Sequence, residues 1–158
     1  MVPKIVFSLD HKIPPPAIAL TCAGLAWALA RYTPEFAFAL PGRLPIAALL
    51  VLLGFALEMA GIIVFRKART TVNPLSPDKA TSIVQAGPYK FTRNPMYVGM
   101  AIFLLAYCVY LANPLSVLPV VAFVVYITRF QIIPEERFLL SKFGESYASY
   151  TRSVRRWL

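Results

Sequence analysis

The sequence predicts an all-α polytopic membrane protein: about four transmembrane helices, a cytoplasmic connecting segment and a C-terminal amphipathic helix. Three observations carry this. The 158 residues are 58% hydrophobic and only 15% charged, with a mean hydropathy of +0.64, a balance foreign to soluble domains. Apolar runs cover Pro16 to Tyr32, Leu44 to Phe65, Met96 to Ala112 and Leu115 to Ile133, each near the ~17 to 25 residues a spanning helix needs. The cations gather at the ends of these runs. Fourteen of the sixteen Lys and Arg precede the first run, separate the second from the third, or lie from Arg129 onward. The positive-inside rule then puts both termini and the Arg66 to Arg93 loop in the cytoplasm, and a prokaryotic inner membrane is the expected location.

The formal net charge of +9 does not point to nucleic acid, because the cations flank apolar runs instead of forming a soluble face. The N-terminal MVPKIVFSLDHKIPPP has only a brief apolar stretch before Asp10, His11 and Lys12. It lacks the h-region and cleavage site of a signal peptide and is expected to be retained. Cys22 and Cys108 both lie in apolar runs with no CxxC spacing, and His11 is the one histidine. Neither a disulfide framework nor a metal centre is expected.

Asn113-Pro114 leaves room for no more than a tight turn, so the third and fourth runs form an antiparallel helical hairpin. Between the second and third runs, FRKARTTVNPLSPDKATSIVQAGPYKFTRNP is too polar to span the membrane, yet carries too many apolar residues for a flexible linker. After Pro134, which is expected to kink the fourth helix, Leu139, Phe143, Tyr147 and Tyr150 recur at helical spacing, with Gly144 interrupting. They make one face of an interfacial or protein-packed helix, and Arg152, Arg155, Arg156 and Trp157 suit lipid headgroups and the aromatic belt.

Three groups can carry chemistry. Glu58 sits inside the second run between Gly54 and Gly61; an intramembrane carboxylate is either a functional group or a paired one that joins closely packed helices. Glu135 and Glu136 follow Pro134 and either bind a cation and move protons or favour the first turn of a helix. In GPYKFTRNPMYVGM, Pro88 and Pro95 stiffen the backbone, and Asn94 is pushed toward an extended conformation by the proline after it. A stiff polar loop at the mouth of a helix lines a cavity, or else Pro95 merely starts the span with Arg93 and Tyr97 at the headgroups.

The order GPYKFTRNPMYVG, a membrane hairpin, then EERFLLSKFGESYASY resembles the isoprenylcysteine carboxyl methyltransferase family and its bacterial relatives, which are similar to the phospholipid methyltransferases. The resemblance covers about Thr70 to Leu158. It implies a single membrane-embedded domain over 1–158, with the cofactor portion at about 70–158, that takes S-adenosylmethionine from the cytoplasm and methylates a lipophilic acceptor arriving through the bilayer. No GxGxxG is present, as expected for such enzymes. Carried over by position, the cofactor site comprises Thr81, Ser82, Ile83, Val84, Tyr89, Arg93, Asn94, Pro95, Met96, Tyr97 and Glu135, with Asn73 in the same segment.

The family histidine is Asn94 here, which hydrogen-bonds but does not titrate near neutrality. The arginine that holds the substrate carboxylate in eukaryotic members is Gln131, and Arg129 lies about 200° away around the helix. Arg129, Gln131 and Glu136 are the catalytic candidates. The resemblance implies a carboxylate or thiol acceptor, prenylcysteine-like or another small lipid. A phospholipid or amine N-methyltransferase, with Glu136 or Glu58 as base, is the second reading, and a non-catalytic membrane scaffold the third. A sterol-type reductase would need a nicotinamide motif that the chain does not display.

Overall fold

The computed structural model describes Asp10 and residues 12–68 and 82–158. The run of prolines before the first helix fixes φ where a helix begins, and α1 spans Pro15–Tyr32. Thr33 ends it by returning its backbone N–H and its hydroxyl to the Leu29 carbonyl. A short 3₁₀ turn at Pro34–Phe36 and Gly42, at φ +78°, lead into α2, Arg43–Lys67. The third helix, α3, is Pro95–Leu111, again with proline in its first turn, and is ended by Ala112 in the left-handed conformation. Asn113 accepts from the Leu115 N–H and so closes the tight turn expected there.

From Pro114 the chain stays helical as far as Phe143: a 3₁₀ turn, α4 (Leu118–Ile127), a π-turn (Thr128–Ile132) and α5 (Ile133–Phe143). At Pro134, where a kink is expected, the turn before the proline is π-helical. Proline offers no N–H and its ring crowds the carbonyl four residues back, here Phe130; widening the preceding turn relieves the clash without breaking the rod. Gly144, at φ +55°, then turns the chain into α6, Glu145–Ser153. The single C-terminal amphipathic helix of the sequence reading is therefore two elements, the first continuous with the fourth apolar run. Among the described residues there is one β-bridge, Thr92 to Arg155, and no strand.

Among the described residues two helices are long and apolar enough to cross a membrane, Arg43–Lys67 and Pro114–Phe143. At 17 residues α3 is a shorter apolar helix, about 26 Å long at the helical rise. Leu49, Leu52, Phe55, Val121 and Val125 are more than half exposed, an apolar exterior suited to lipid. The core lies among α1, α3 and α4, where Cys22, Leu104, Cys108, Val120, Phe123 and Ile127 are buried together. Polar bonds tie both ends of α1 to the fourth helix region. Asn113 Nδ2 donates to the Thr33 carbonyl at 2.9 Å, and Gln131 Nε2 donates to the Ile13 carbonyl at 2.8 Å.

Helix α2 stands outside that core and packs along α3. A Cβ on Gly54 would lie 2.9 Å from the Phe103 ring, and one on Gly99 only 2.5 Å from Glu58 Cγ. The glycines at this seam are what let a glutamate side chain lie between the two helices.

Candidate active site

The loop before α3 is pinned from two sides. Gly87 takes φ +58° against Val64, and a Cβ there would come within 2.9 Å of that side chain. This brings Tyr89 into a 3₁₀ turn (Gly87–Lys90) and buries it, its ring 5.0 Å from Phe65 and its hydroxyl facing Gly61. From the other side, the Tyr150 hydroxyl donates to the Tyr89 carbonyl at 2.8 Å. Burial raises the Tyr89 phenol well above its ordinary range, helped by the nearby Glu135 carboxylate and by Tyr150. Burial likewise takes Tyr150 up to about 12, with Arg93 opposing, so both phenols stay protonated donors at neutral pH.

Thr92, Arg93 and Asn94 are stitched to the C-terminal residues. The Arg93 N–H donates to the Arg155 carbonyl at 2.9 Å. Asn94 Nδ2 donates to the Arg156 carbonyl at 2.9 Å, and the Thr92 hydroxyl donates to the same carbonyl. Arg156 returns to the bundle through its guanidinium, donating from Nε and Nη2 to Glu136 at 3.0 and 2.7 Å. Arg93 Nη2 lies 2.9 Å from Oε1 of the same carboxylate, the oxygen that Arg156 Nε also reaches. Trp157 Nε1 donates to the Thr128 hydroxyl at 3.0 Å. Arg156 and Trp157, expected at the headgroups, also make bonds inside the protein, because the strand-like pairing at Thr92 carries the tail back over the bundle.

The sequence candidates sort accordingly. Val84, Tyr89, Pro95 and Tyr97 are buried, Ile83, Arg93, Asn94, Met96 and Glu135 half-buried, and Ser82 exposed; Asn73 and Thr81 lie outside the described residues. Tyr89 and Glu135 are brought into electrostatic range. Among the described residues Glu135 makes no ion pair, while its neighbour Glu136 makes two. Gln131 is fully buried and turned to Ile13. Arg129 is more than half exposed and faces Asp10 at 3.9 Å, so the π-turn does not bring it toward Glu135. Sequence reasoning missed Thr92, Arg156 and the bond from Tyr150. The signal present was the helical spacing of Leu139, Phe143, Tyr147 and Tyr150, read as one helix face.

The loop, the buried tyrosine and a carboxylate without an ion pair among the described residues lie together at the root of an apolar bundle. Residues 43–146, from the start of α2 into α6, match the phospholipid methyltransferase family. The chain belongs to that family. Membership makes it a membrane methyltransferase that acts on a lipid, in keeping with its two apolar helices. An uncharacterized protein of Haemophilus influenzae is 46% identical over 63 residues, which are 40% of this chain and the whole of that relative. The family match ends before Tyr147, Tyr150 and Arg156, so the residues that brace the loop lie beyond it.

Proposed function

We propose that this family member is an S-adenosylmethionine-dependent methyltransferase whose cofactor pocket faces the cytoplasm, with both termini on that side, and whose acceptor is a lipophilic molecule entering from the bilayer. The observation that carries the reading is the pairing of an unpaired Glu135 with buried Tyr89 beside the start of α3. The donor set fits the ligand. A free carboxylate accepts hydrogen bonds from an ammonium or ribose hydroxyls, and a buried aromatic ring packs on adenine. Bound there, S-adenosylmethionine supplies an electrophilic methyl group on sulfonium.

The chain's own residues then have positional work. Glu136, Arg93 and Arg156 hold the loop against the start of α5, which fixes Glu135 relative to Tyr89 and Tyr97. Alignment of acceptor with methyl is the main source of acceleration available to a site with so few acid–base groups. Asn94 spends its amide on Arg156 and is a positioning residue. The family match favours a phospholipid amine over a carboxylate or thiol. Of the two bases considered for an amine, Glu136 is consumed by its arginines, which leaves Glu58. Its Oε1 is buried without a hydrogen-bond partner. Calorimetry of the detergent-solubilised chain with S-adenosylhomocysteine tests the reading: binding that Glu135→Ala weakens is expected, and absence of binding by folded protein overturns it. Labelled-methyl transfer to lipid extracts separates alkali-labile esters from stable N-methyl products.

A further inference from the structure

On the other side of Glu136 from Glu135 lies a second feature. Between α5 and α6 opens a cleft of about 480 Å³ into which four arginines converge, Arg93, Arg137, Arg152 and Arg156, against a single carboxylate, Glu136. Its remaining wall is largely apolar, with Ile133, Leu140 and Ala148. Two of the arginines are already fixed. Arg93, with a side chain 10% exposed, and Arg156 are both held on Glu136, so their orientation costs nothing further when a ligand arrives. Arg93 commits only Nη2 of its side chain, and Arg156 keeps one guanidinium nitrogen uncommitted. The other two are exposed: Arg137 carries no ion pair among the described residues, and Arg152 rests on Glu145 at the rim.

We propose that this cleft binds the phosphate of an anionic phospholipid, as a site separate from the methyl-transfer pocket. Guanidinium groups from several directions suit a phosphate's multiple acceptor oxygens better than a single carboxylate. The excess of positive charge favours a net anionic headgroup over a zwitterionic one. The apolar wall receives the glycerol end of the lipid. The position suits a lipid too, because the cleft is built at the polar end of the long apolar helix that begins at Pro114, where headgroups lie.

The test uses the full chain, solubilised and delipidated in neutral detergent, with native mass spectrometry counting the ligand retained. Phosphatidylglycerol, phosphatidylcholine and inorganic phosphate are offered at equal concentration. Preferential retention of phosphatidylglycerol is expected. Arg137→Glu with Arg152→Glu should reduce it about tenfold, while Arg66→Glu with Lys67→Glu, the same charge change at the exposed end of α2, should leave it intact. Equal retention of the two lipids, or undiminished retention in the cleft variant, overturns the proposal. Displacement of the lipid by equimolar inorganic phosphate assigns the cleft to a soluble anion and overturns it equally. Thermal unfolding checks that the variants are folded. Binding of S-adenosylhomocysteine should be unchanged in the cleft variant; if the native chain does not bind it, the methyl-transfer reading falls and the lipid result stands by itself.

Discussion

Glu135 and Glu136 are neighbours in sequence and opposites in structure. Successive residues on a helix point about 100° apart, so one carboxylate is directed toward Tyr89 while the next meets Arg93 and Arg156. Glu136 is a lock, its charge balanced by two guanidiniums that belong to the loop and to the C-terminal tail. Glu135 makes no ion pair among the described residues and remains available to a ligand. In the proposed reading the same residue type serves stability at one position and recognition at the next, and the difference lies in the partners.

The sharpest way to break this contrast is Glu136→Ala. It leaves two partly buried guanidiniums without their counter-charge and should lower unfolding stability by about 3 kcal/mol, read in denaturant titrations of the solubilised chain. Glu135→Ala should behave in the opposite manner, with unfolding nearly unchanged and affinity for S-adenosylhomocysteine reduced about tenfold, or about 1.4 kcal/mol. If both variants lose stability equally, the division of labour is wrong.

Tyr150→Phe tests the brace behind Tyr89. Loss of one buried hydrogen bond should cost about 1 kcal/mol and loosen the loop. The phenol also gives a pH signature. Because its folded value is raised from 10.0 to about 12, the folded state holds the proton more tightly; the associated stability is complete below pH 10 and is lost as pH climbs toward 12. Tyr150→Phe should flatten part of that alkaline decline. Smallest of all, Arg129→Ala should change stability by no more than about 0.5 kcal/mol and leave cofactor affinity alone, since Arg129 is solvent-facing and its ion pair with Asp10 is long. A large loss of methyl transfer in this variant would return Arg129 to the active site.

Much of the architecture is legible in the sequence. Prolines at the starts of α1 and α3, Asn113 in the turn and apolar runs of helical length are local signals, and local hydrogen bonding and burial act on them directly. The loop stiffened by Pro88 and Pro95 was legible for the same reason. The split at Gly144 was visible as an interruption, but its consequence was not, because whether a helix ends or bends there depends on what α6 packs against. Pro134 announces a distortion, expected as a kink; the structure shows it as a π-turn over Thr128–Ile132.

The sequence by itself determined a helical, lipid-facing chain, a rigid loop at a helix mouth, and two adjacent carboxylates at the foot of an apolar run, because hydropathy, proline geometry and helical period are properties of short segments. Only the tertiary structure decided that Asn94, Arg156 and Trp157 brace the protein, that Gln131 serves α1, and which glutamate is free. Those outcomes depend on contacts such as Arg93 with Arg155 and Tyr89 with Tyr150, which join residues some sixty positions apart. Such a contact exists only once the whole bundle has closed.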